Sequence, residues 1–151
     1  MALPHALPPV AQTLGYAGVL PQAAAALVIV AGPLDQRFSA LALAFAYAAV
    51  IFSFLGGLWW GLAGRAGDAA PRWVWVIGVV PSLIAVAMCV PWAVGAAWPE
   101  PSLLVLALAL AASPLVDWRL SRRGLCPPGW LRMRVHLSVA LSFLTAVCAL
   151  A

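Results

Sequence analysis

The 151-residue chain has no lysine, and charged residues of any kind make up only 8% of it. Those charges are eight arginines, three aspartates and one glutamate. A soluble domain carries about 25% charge, so a water-facing surface cannot be built from this composition. Disorder requires high charge with low hydrophobicity, and the same shortage excludes it. Three cysteines without a CxxC spacing give no disulfide scaffold, and twelve glycines without a period give no collagen or repeat array. P-loop, GxGxxG, GxSxG and HExxH patterns are all absent. What is present instead is 66% apolar residues. The composition is that of an integral membrane protein, read as a single membrane domain over 1–151.

A spanning helix needs about 20 mostly apolar residues. Five runs qualify, at about 11–31, 39–63, 73–95, 102–118 and 131–151. Between them stand Gly32-Pro33, Gly64 to Arg72, Trp98-Pro99-Glu100-Pro101 and Arg119 to Trp130. Proline lacks the donor N–H a helix needs and clashes with the preceding turn, so these breaks have a mechanism. The sequence thus predicts an all-α bundle of five transmembrane helices.

The arginines give direction. Arg65, Arg72, Arg119, Arg122, Arg123, Arg132 and Arg134 fall on one side of a five-span chain, and only Arg37 on the other, beside Asp35 and Glu100. Cytoplasmic loops retain the basic residues, which predicts a cytoplasmic N-terminus and an outside C-terminus. Tryptophan favours the headgroup level. Trp59, Trp60, Trp73, Trp75, Trp118 and Trp130 fall at cytoplasmic ends, and Trp92 and Trp98 at the outer end of the third span. A cleaved leader would open with a positive segment. Residues 1–12 contain neither Lys nor Arg, so the first run is expected to be a retained helix.

In lipid, helices associate by close packing and interhelical hydrogen bonds, and small residues mark contact faces. On the second span Ala42, Ala46, Ala49, Ser53, Gly56, Gly57, Gly61 and Gly64 share a face centred on Trp60. This face is expected to pack against other helices. Gly15, Gly18 and Gln22 align on the first span, Gly78, Ser82 and Cys89 on the third, and Arg134, Ser138, Ser142 and Thr145 on the fifth. Gln22, Ser53, Ser82 and Ser142 each lie roughly 15 Å from the cytoplasmic ends, the middle of a ~30 Å core. They are expected to form either a polar site for a small lipophile near Trp60 or a layer of interhelical hydrogen bonds.

Chemistry-bearing residues are few. No span carries a charge near its centre, which argues against an ion-coupled pump or a voltage sensor. Asp117 closes the fourth span, and Arg132 and Arg134 open the fifth, so an interfacial charge clamp between Asp117 and one of these arginines is expected. His136 has no set of partners for metal binding or acid–base work, and His5 lies in the N-terminal tail. Cys89 and Cys148 are expected to pack as small apolar residues, and Cys126 to be a reduced loop thiol. No catalytic set, metal set or cofactor pattern emerges, and the basic balance is explained by topology and anionic lipid rather than nucleic acid.

Leu14 to Pro21, Ser53-Phe54-Leu55-Gly56-Gly57-Leu58-Trp59-Trp60-Gly61-Leu62-Ala63, Val80-Pro81-Ser82-Leu83 and Trp130-Leu131-Arg132-Met133-Arg134 together resemble a known group. This is the domain of unknown function 3429 family of small bacterial and mitochondrial multi-pass membrane proteins. The resemblance implies the bundle over nearly the whole chain and implies no activity, substrate or cofactor. An arginine-only, alanine-rich composition points to a bacterial gene and hence to the cytoplasmic (inner) membrane. The expected function is assembly, stabilisation or interaction, with the lipid bilayer and other membrane subunits or a second copy as partners. The alternatives are a binder or carrier of a quinone-like or lipid molecule, and an interfacial enzyme acting on lipid headgroups.

Overall fold

The computed structural model describes residues 7–151, so His5 and the start of the tail lie outside it. Eight α-helices follow one another: α1 (Pro9–Ala17), α2 (Leu20–Ala31), α3 (Arg37–Ala66), α4 (Arg72–Ile77), α5 (Val80–Ala93), α6 (Glu100–Ala112), α7 (Pro114–Arg122) and α8 (Trp130–Leu150). Among the described residues there is no strand. The eight helices make five segments long and apolar enough to cross a membrane, Pro9–Ala31, Leu34–Ala69, Arg72–Ala93, Glu100–Arg122 and Trp130–Leu150. The largest departure from the expected ends is in the second, which spans Leu34–Ala69 rather than 39–63; the fourth runs on to Arg122 rather than stopping at 118.

Three of the five spans are broken, a feature the run lengths did not reveal. The breaks fall at Gly18-Val19, Gly78-Val79 and Ser113, each just ahead of a proline: Pro21, Pro81 and Pro114. A proline inside a helix leaves carbonyls of the preceding turn without a donor, and lipid offers none. Side chains fill the gaps. The Tyr47 hydroxyl donates to Gly18 O, and Trp60 Nε1 donates to Trp75 O at 3.0 Å. Ser113 Oγ donates to Leu110 O at 2.8 Å, the carbonyl that Pro114 would have served. Two of these donors belong to α3, which is 30 residues long and unbroken.

The core sits where α3, α6 and α8 meet. α6 lies along α8, and α3 packs on α2, α5 and α6. Ala44, Leu103, Leu106, Leu110 and Cys148 are fully buried there. Where α3 crosses the third span the two backbones touch: a Cβ on Gly56 would stand 2.1 Å from Gly78 O, and one on Gly78 would stand 2.1 Å from Trp60 Cδ1. Only glycine fits at that crossing.

The packing face of α3 differs from the expected one. The buried residues are Ala40, Leu41, Ala44, Phe45, Ala48, Ala49, Phe52, Leu55, Gly56, Trp59 and Ala63, which share only Ala49 and Gly56 with the expected face. Gly57, Gly61 and Gly64 are exposed, with nothing within 4 Å of their Cβ positions. Rotation explains it: Gly57 and Gly61 each lie about 200° around the helix from Trp59. Once Trp59 is buried, both glycines must face away from the bundle.

Arg65 Nη2 donates to Leu125 O at 2.9 Å, which ties the connection after α3 to the connection before α8 at one end of the bundle. That end carries the exposed Arg72, Arg119, Arg122, Arg123 and Arg132. Gly129, at φ 81°, makes the sharp entry into α8.

Candidate functional site

Charge inside the bundle is concentrated at one place. Ser113 and Asp117 lie four residues apart on the fourth span, and Trp130, Arg134 and Ser138 lie four apart on α8, so each set forms a stripe. The two stripes face each other. Asp117 is 0% exposed and Arg134 4%. Arg134 Nε donates to Asp117 Oδ2 at 3.2 Å, the one ion pair among the described residues. Asp117 Oδ1 accepts Trp130 Nε1 at 2.8 Å and Trp59 Nε1 at 3.3 Å. Three helices thus converge on one carboxylate, and each of its oxygens has a donor. A buried charge is tolerated only in such a closed set.

Arg134 reaches further. Its Nη2 makes long contacts to Ser113 Oγ and Ser138 Oγ at 3.4 and 3.5 Å. The two hydroxyls are 3.0 Å apart. Ser113 already gives its proton to Leu110 O, so Ser138 is the donor between them. Among the described residues Nη1 makes no hydrogen bond. Arg134 and Trp130 also line a cavity of about 370 Å³ between α1, α3 and α8, whose other walls are apolar side chains and the Gly15 and Gly18 backbone. Leu14 and Phe54 line it as well and are 67% and 58% exposed. The cavity therefore opens sideways between α1 and α3, at the level where lipid would lie.

The expected clamp is thus made by Arg134; Arg132 is exposed and pairs with no acid among the described residues. The four-residue polar layer does not assemble. Gln22 is buried and donates through Nε2 to Thr145 Oγ1 at 3.0 Å, while its Oε1 has no partner among the described residues. Ser142 Oγ bonds Val139 O of its own helix, Ser82 is exposed, and Ser53 is half-buried. Trp60 sits half-exposed edge-on to Trp75, with ring centroids 5.2 Å apart, and its Nε1 donates to Trp75 O rather than to any of the serines. Gly56 serves the backbone crossing. His136 is exposed, with its Nδ1 3.0 Å from the Tyr16 hydroxyl, and stands apart from Asp117.

Trp59, Ser113, Trp130 and Ser138 were not singled out as site residues from the sequence. The signal available was the four-residue stripe on both sides of the turn, but the Leu/Ala alternation of the fourth span hid Ser113. Among the described residues no three His, Cys, Asp or Glu side chains stand close enough to hold a metal, and all three cysteines are free.

The profile of a family described as "Protein of unknown function (DUF3429)" matches residues 7–150. The chain belongs to that family. No curated protein and no solved structure matches it. The match covers every residue of the Asp117 cluster and of the cavity beside it, so this DUF3429 member carries its buried charge within the family's own segment.

Proposed function

We propose that this DUF3429 protein is a non-catalytic component of the bacterial cytoplasmic membrane that holds a small amphiphile in the cavity between α1, α3 and α8. The ligand class is an apolar body with an oxygen-bearing head, such as a quinone or a fatty acid. One observation carries the reading: a buried guanidinium fixed on one edge by Asp117, on a residue that also lines an apolar cavity. A charged donor in a dry pocket selects a carbonyl or carboxylate head. The placement in the inner membrane, with the N-terminus cytoplasmic, rests on the arginine-rich end of the bundle.

The test uses the full chain purified in mild detergent and loaded with decylubiquinone or lauric acid. Native mass spectrometry should show one retained molecule. Ala11→Phe, which adds bulk to the α1 wall of the cavity, should sharply lower retention while leaving thermal unfolding unchanged. No retention by the native chain, or equal retention by the variant, overturns the reading.

A second reading, as an assembly or interaction protein, is favoured by the open glycine strip. Gly57, Gly61 and Gly64 face away from the bundle with free space at each Cβ, the kind of surface on which a helix of another subunit or a second copy packs closely. Cross-linking in membranes should then give a dimer or a hetero-complex that Gly61→Leu disrupts. A monomer with no partner before and after that change rejects it.

A further inference from the structure

The outward face of α7 carries a second arrangement, independent of the Asp117 cluster. A crevice of about 550 Å³ is lined by Trp73, Trp118, Arg119, Arg122 and Arg123. None of these arginines has an acid within 4.0 Å among the described residues. The Arg122 guanidinium lies over the Trp118 ring at 5.2 Å from its centroid. Such a contact holds the cation in place without neutralising it. The last carbonyls of α7 do not consume the charge, since Leu120 O and Ser121 O already accept backbone N–H groups from residues 123–125.

The crevice is not only basic. It shares Trp73 and Arg119 with an adjoining groove of about 410 Å³, continued by Val76, Ile77 and Val116. The polarity of the two parts follows the chain. α4 starts at the arginine-rich end, so Val76 and Ile77 lie deeper than Trp73. The fourth span ends there, so Val116 lies about 4.5 Å deeper than Arg119. Cationic groups at the membrane edge, two tryptophans at headgroup level and an apolar groove leading inward reproduce the profile of a phospholipid with a negative head.

We propose that this crevice binds one anionic phospholipid, its phosphate among Arg119, Arg122 and Arg123 and an acyl chain along Val76, Ile77 and Val116. The site shares no lining residue with the cavity between α1, α3 and α8, so either can fail without the other. A free phosphate would satisfy the arginines but leave the groove unused, which favours the lipid.

The experiment compares retention of dioleoylphosphatidylglycerol and dioleoylphosphatidylcholine by the full chain, using native mass spectrometry in mild detergent. Near a membrane surface each arginine contributes about 1 kcal/mol, or about fivefold in affinity. Arg119→Gln/Arg122→Gln/Arg123→Gln should therefore reduce the preference for the anionic lipid on the order of 100-fold. Val76→Trp, which blocks the groove and keeps the charge, should also lower retention. Arg132→Gln, exposed at the same end but outside the crevice, should leave it unchanged. Because all these side chains are exposed or half-exposed, circular dichroism melting should not shift. Equal retention of the two lipids overturns the proposal. So does a loss with Arg132→Gln as large as with the triple variant, which indicates net charge rather than a site. Full displacement by millimolar inorganic phosphate, with no effect of Val76→Trp, overturns the lipid in favour of a bare phosphate site.

Discussion

Asp117 and Arg119 stand two residues apart on α7, and about 200° of helical rotation sends them to opposite surroundings. Asp117 is wholly buried, and both of its carboxylate oxygens accept N–H groups from other segments. Arg119 is exposed in an open crevice and finds no acid among the described residues. The first charge is held by a closed set of protein donors, so every member of the set matters to folding. The second is exposed at one end of the bundle with no acid beside it among the described residues, so its loss should leave the fold unchanged. One short helix therefore separates a structural charge from a surface charge.

The largest effect should come from opening the closed set. Asp117→Ala leaves the Arg134 guanidinium buried without its counter-charge, and should destabilise the fold by about 3–5 kcal/mol. Thermal unfolding in detergent reads this as a large fall in Tm, whereas Arg119→Gln should stay within about 0.5 kcal/mol of the native chain. Equal effects would erase the contrast between the two faces. Asp117→Leu/Arg134→Leu, which removes both charges, should recover most of the loss.

Trp130→Phe comes next. It removes the 2.8 Å donor to Oδ1 and leaves only the longer Trp59 contact, so a loss of about 1–3 kcal/mol is expected in the same unfolding assay. Ser113→Ala should be milder. It removes the hydroxyl's bond to Leu110 O, which keeps the backbone N–H of residue 113, and a contact to Ser138, and single hydrogen bonds between membrane helices average about 0.6 kcal/mol; a small Tm decrease checks it.

The smallest effect is a rate. Burial pushes the Cys126 thiol above its ordinary pKa; the neighbouring Ser121 hydroxyl opposes the push, Asp117 adds to it and Arg65 opposes it. Less thiolate is then present at a given pH, so modification by N-ethylmaleimide at pH 8 should be slower than for an unhindered cysteine peptide. Arg65→Gln should slow it further, and a rate equal to the peptide's would contradict the buried setting.

The sequence supports some of these features better than others, and the reason is locality. Span number and the connecting turns depend on runs of neighbouring residues, and the five segments appear where the runs lie. Asp117 as a clamp was legible because a lone acid at a span end has few possible partners. The choice of Arg134 over Arg132 was not, since it depends on which α8 stripe meets α7. The face of α3 was misread because glycine marks close approach without saying to what. Trp59 and Trp60 are adjacent, and only the position of Asp117, 58 residues away, decides which indole turns inward. The polar layer failed for a related reason: equal depth does not bring side chains together unless rotation agrees, as it does for Gln22 and Thr145.

The broken spans bear on the order in which the protein can be built. α3 lends Tyr47 to the first span and Trp60 to the third. A carbonyl left without a donor in lipid costs several kcal/mol, so neither neighbour reaches its resting state before α3 stands beside it. The first span must wait for the second to emerge, whereas the third arrives to find its donor in place. A single uninterrupted helix, early in the chain, thus works as a template in time as well as in space.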